Sequence, residues 1–176
     1  MWTVRDVLAH LVVPLVSTPV DLARAGLTSR GSFHRFNRAL VRRQAERPTA
    51  DLVADLRARA TSRFTPPGMD WHAPLADLRI HGLDVTIPLR LDLDRPLTPW
   101  ADVLGFLVGP KATRGFVRKG RPELRFEATD VDWSHGEGSV VRGPAAALAT
   151  SLTGRRALDD RLTGNGVAAL LGWQGR

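Results

Sequence analysis

Apolar residues recur at helical spacing through most of the first half of the chain. Val4, Val7, Leu8, Leu11 and Val12 lie three and four apart, as on one face of a helix. Thr3, with Asp6 three residues on, forms a helix-start signature in which Asp takes the place of the usual Glu or Gln. Pro14 is expected to interrupt or end this helix. Thr18 as N-cap, Pro19 at the first helical position and Gly26 as the stop delimit a second helix. After a loop over residues 27–32, Phe33, Phe36, Leu40 and Val41 form an apolar face, while Arg35, Arg38, Arg42 and Arg43 form a basic one. Pro48 breaks this run. Thr49 caps the next helix, with Leu52, Val53 and Leu56 on one side. A Pro/Gly-rich loop covers residues 64–74. Pro74 starts a helix that Pro88 limits.

The pattern changes in the second half. Residues 99–109 read as a short amphipathic helix. Leu124, Phe126 and Ala128 alternate with Arg125, Glu127 and Thr129, the two-residue period of a half-buried strand. Residues 134–138 supply a turn and 139–143 a returning strand, which together predict an antiparallel β-hairpin. Gly143-Pro144 opens a helix closed by Gly154, and residues 167–173 form the last element. The fold class expected is α+β. A helical bundle over residues 1–92 precedes a small domain over 96–176, with the boundary in the stretch 89–99.

Composition narrows the function classes. The 176 residues are 43% hydrophobic and 24% charged, with no cysteine. Disulfides and thiolate metal sites are therefore impossible, and any metal must sit on histidine and carboxylate. No apolar run reaches the length of a membrane helix, and no signal-peptide pattern is present, so the expected location is cytoplasmic. The net charge of +7 comes mostly from arginine spread along the chain. It forms no basic tail, and no reading helix or set of stacking aromatics accompanies it, so nucleic acid is not the expected partner.

The chemistry concentrates in residues 75–84, Leu-Ala-Asp-Leu-Arg-Ile-His-Gly-Leu-Asp. Asp77 and His81 are four apart, so on a helix they stack on one face. A carboxylate and an imidazole so placed either hold one edge of a divalent metal or form a partly buried surface pair. Asp84, three past His81, can orient the imidazole. A third ligand must come from elsewhere, and the candidate is His10; otherwise His10 is a core histidine bonded to a backbone carbonyl. His72, beside Trp71, is either a fourth ligand, a proton carrier or simply exposed. Arg155 lies just past a helix C-terminus, where its charge suits the helix dipole.

Two separated motifs carry a resemblance. The stretch WTVRDVLAHL, followed well downstream by ADLRIHGLDVTIPL, resembles the DinB-type metal-binding bundle of the mycothiol-dependent maleylpyruvate isomerase-like family of actinobacteria. RFEATDVDWSHGEGSVVRGPAAALATSLTGRRAL resembles the small α/β domain attached to that bundle. The resemblance implies a divalent metal, zinc first, on His10, Asp77 and His81, with mycothiol as the thiol cofactor. It implies an isomerase or thiol transferase acting on a small, anionic electrophile. Arg155 would reach the active site to bind cofactor or substrate, and His10 would share in catalysis.

The chain departs from the family in two places. Asp77 stands where the family has Glu, with a reach shorter by about one C–C bond, roughly 1.5 Å. The family's first helix, which precedes the Trp, is expected to be missing. Three helices of the four would then leave an uncovered face suited to self-association. The rival expectation is a decayed relative that binds a partner and catalyses nothing.

Overall fold

The computed structural model describes residues 2–29, 33–92 and 96–175. The chain divides into two compact units, residues 1–71 and 72–176. The boundary expected near residue 92 runs into residues 93–95, outside those described, as is the end of the expected loop at 30–32.

The first unit contains α1 (Val4–Val16), α2 (Pro19–Ser29), α3 (Phe33–Ala45) and α4 (Thr49–Ala58). α1 packs on α3 and α4, and α2 packs on α3. Both expected helix starts are present. The Asp6 backbone N–H donates to Thr3 Oγ1 at 3.2 Å, and the Thr3 N–H donates to Asp6 Oδ2 at 2.8 Å, a reciprocal capping box. Thr18 and Asp21 repeat it, with 3.3 Å and 2.9 Å for the same two bonds.

Two expected helix ends move. α1 continues through Pro14 to Val16. Proline lacks one donor, so a single intrahelical bond is lost there. Apolar contacts on either side carry the helix across: Ala9, Val12 and Val13 pack with Leu40, Val41 and Leu52 in one buried cluster, and Val16, beyond the proline, packs against it. α2 likewise passes Gly26 and ends at Ser29. One interior glycine costs only about 1 kcal/mol, and α2 packs along α3. α4 has Pro48 as its N-cap and Thr49 as its first residue, so it starts one position earlier than expected.

The second unit holds α5 (His72–Thr86), α6 (Pro99–Val108), β1 (Leu124–Ala128), β2 (Ser134–His135), β3 (Ser139–Gly143), α7 (Ala145–Leu152) and α8 (Val167–Gln174). α5 begins two residues before Pro74, whose missing N–H falls among the donors a first turn leaves free. α5 packs on α6 and α7, and α7 packs on β1, β3 and α8. Val103, Leu104 and Leu107 of α6, Phe126 of β1, Val141 of β3 and Leu148 of α7 are all buried.

The fold is α+β, with a mixed three-stranded sheet in the order β2-β1-β3. The strand expected to return antiparallel, 139–143, instead runs parallel to β1, pairing Leu124 with Ser139 and Phe126 with Val141. The antiparallel partner is the two-residue β2, with Phe126 opposite His135. The cause is a second reversal between β2 and β3. Gly136 and Gly138 adopt φ of 82° and 92°, conformations that side chains rarely take. A Cβ on Gly136 would also lie 2.3 Å from the Leu124 carbonyl oxygen.

Candidate metal centre

α5 positions two of the expected donors. Its 3.6-residue turn brings Asp77 Oδ1 and His81 Nε2 to 3.6 Å. That is too long for a hydrogen bond. It suits two donors that share an ion: ligands about 2.0–2.1 Å from a tetrahedral centre lie about 3.4 Å apart.

The other face of the imidazole is fixed. His81 Nδ1 lies 2.8 Å from Asp84 Oδ2. With the proton on Nδ1 donated to that carboxylate, the ring is in the tautomer whose Nε2 lone pair can ligate a metal. Asp84 is itself gripped by a bidentate fork. Arg155 Nε donates to Asp84 Oδ1 at 2.6 Å, and Nη2 donates to Oδ2 at 2.8 Å. Burial pushes the Asp84 carboxyl up, but the His81 bond and the Arg155 fork outweigh it and hold the group well below the usual carboxylate range.

Local chain chemistry places Arg155. α7 closes in a six-residue cap in which the Gly154 N–H donates to the Ser151 carbonyl at 3.0 Å and the Arg155 N–H to the Thr150 carbonyl at 2.8 Å. Gly154 takes φ of 78° to allow it. Arg155 therefore leaves the helix end at a fixed point, and its Nη1 reaches the Thr153 carbonyl at 3.4 Å.

The second unit thus brings together Asp77, His81, Asp84 and Arg155. The Arg155–Asp84 pair spans 71 residues. Sequence reading placed Asp84 behind His81 but did not foresee its pairing with Arg155. The only available signal was a Gly-Arg pair after a helix.

His10 belongs to α1 in the first unit. There the Asn37 side-chain amide lies 3.4 Å from its Nδ1, and the Trp2 ring centroid is 5.3 Å from its own. An amide at Nδ1 can hold the ring from behind, as Asp84 does for His81. His72 opens α5. Helix geometry of about 100° per residue sets it about 140° round from Asp77, away from the donor face.

These features define an α+β protein bearing an arginine-braced carboxylate–histidine pair beside a second carboxylate. No protein-family model, curated protein or solved structure compared with the chain matches it.

Proposed function

We propose that the protein is a metal-dependent enzyme using a small-molecule thiol, with His10, Asp77 and His81 holding one divalent cation, zinc first. Two imidazoles and a carboxylate are a donor set that could hold such an ion. The observation that carries the reading is the braced imidazole of His81: Asp84 accepts a hydrogen bond from its Nδ1, Arg155 holds Asp84, and Nε2 lies on the side of Asp77. A surface ion pair needs no such support. Metal-binding histidines characteristically have it.

The bound ion would supply a Lewis acid that lowers the pKa of an incoming thiol at neutral pH. The chain has no cysteine of its own, so that thiol comes from a cofactor, and the family resemblance makes it mycothiol. The residues of the chain orient and hold. Asp77 and the imidazoles of His81 and His10 fix the donor geometry. Asp84 keeps His81 in one tautomer, and Arg155 keeps Asp84 ionised. The reaction class proposed is isomerisation or thiol transfer on a small anionic electrophile.

Elemental analysis of the purified protein tests the metal. One equivalent per chain in the wild type and a near-total loss in His81→Ala is the expected result. Equal, trace metal in both would end the reading. Mycothiol should then protect the zinc-loaded protein from thermal unfolding, whereas a thiol-free analogue should not.

A further inference from the structure

A cavity lies on the opposite side of α5 from Asp77 and His81, lined by residues of the second unit. It measures about 550 Å³, within the range of small-molecule sites. Its apolar lining includes Leu83, Ile87 and Leu97, with the buried Trp100 at its base. Among the described residues its charged lining is Arg79, Arg90, Arg161 and Asp92, a surplus of positive charge. Arg79 stacks its guanidinium 5.7 Å from the Trp100 ring centroid, which joins the cationic rim to the aromatic floor.

Arg90 supplies an independent observation. The chain leaves α5 through the same kind of cap that ends α7. The Leu91 N–H donates to the Thr86 carbonyl at 2.9 Å and the Arg90 N–H to the Ile87 carbonyl at 3.1 Å. This places Arg90 at the left-handed position, with φ of 52°. Glycine fills that position without strain, as Gly154 does after α7. Among the described non-glycine residues Arg90 is the one with positive φ. An arginine kept at a strained position on the rim of a cavity points to work for its side chain.

We propose that this cavity binds an amphipathic organic anion, with an apolar body on Trp100 and Leu83 and a carboxylate, sulfonate or phosphate held by Arg90 and Arg161. The site is separate from the metal centre and does not depend on it. The apolar floor excludes a bare inorganic anion as the preferred occupant, and the arginine rim selects against a neutral apolar one.

The probe is 8-anilinonaphthalene-1-sulfonate, titrated into the full-length protein by fluorescence. N-phenyl-1-naphthylamine, the same ring system without the sulfonate, is the neutral counterpart. The expected result is saturable binding at one site, with the neutral probe at least tenfold weaker. Arg161→Ala should weaken sulfonate binding at least threefold. Arg90→Gly should weaken it at least as much while melting at the same temperature as wild type or higher, because it relieves the strained backbone. His81→Ala should bind the probe like wild type. Equal affinity for the two probes, or no effect of Arg90→Gly and Arg161→Ala, would overturn the proposal. Loss of binding in His81→Ala would also overturn it, since the probe would then report the metal centre.

Discussion

Replacing Asp84 by Asn removes one charge and keeps the shape, so it isolates the brace behind His81. The carboxylate accepts from His81 Nδ1 at 2.8 Å and from both arms of the Arg155 fork. The amide has one acceptor oxygen for those donors, and its NH2 group faces others. Removing one partner of a fully buried ion pair costs about 3–5 kcal/mol. The side chains of Asp84 and Arg155 are 26% and 28% exposed, so about 2–3 kcal/mol is the reasonable figure here. In a unit of this size that lowers the melting temperature by about 10–15 °C. Zinc affinity should fall about 10–100-fold, the usual cost of removing a partner behind a ligating histidine.

The pH dependence has a definite sign. The Asp84 carboxyl is held below its ordinary value of 3.8 in the folded protein. Its stabilisation is therefore fully present above the unfolded value and lost as pH falls through the folded one. Thermal melts of metal-free wild type and Asp84→Asn should show the gap at pH 7, where the Asp84 carboxylate is fully ionised in both folded and unfolded wild type. The gap should narrow only below pH 3.8. Zinc titration by calorimetry at pH 7 completes the assay. An Asp84→Asn protein that melts with wild type and binds zinc equally well would refute the brace.

Three further outcomes follow from named contacts. Thr3→Ala removes the capping oxygen of α1 and should cost about 1 kcal/mol, read by urea unfolding, whereas Thr3→Ser should be nearly neutral. Gly164→Ala should be strongly destabilising, by about 2 kcal/mol or more, because φ is 109° and the new Cβ would lie 2.2 Å from the Val140 carbonyl oxygen; a wild-type melt would show that this packing is wrong. Asp77→Glu restores the reach that the family resemblance implies. It should bind zinc at least as tightly as wild type, whereas Asp77→Asn should bind at least tenfold more weakly in the same titration.

What could be read in the sequence was local. Thr3 and Asp6 announce a capping box because both partners lie within one turn. Asp77 and His81 share a face because helix geometry alone puts them there. The helices run past Pro14 and Gly26 because tertiary packing competes with residue propensity: the Val12–Leu40–Leu52 cluster holds α1 across Pro14, and α2 packs on α3. The direction of β3 was illegible for another reason. A five-residue alternation carries no information about parallel or antiparallel pairing, and the deciding feature was backbone freedom at Gly136 and Gly138. The Arg155–Asp84 fork joins residues too far apart for any spacing rule. Arg90 shows the same limit: nothing in Leu-Arg-Leu marks a left-handed cap, and only the carbonyls of Thr86 and Ile87 reveal it.

Calorimetric titration of zinc into the wild type and into His10→Ala, both stripped of metal, addresses the centre itself. A single tight site in the wild type that weakens at least a hundredfold in His10→Ala, with an unchanged melt of the metal-free protein, is the predicted result. Identical zinc isotherms for the two proteins would contradict the three-residue centre.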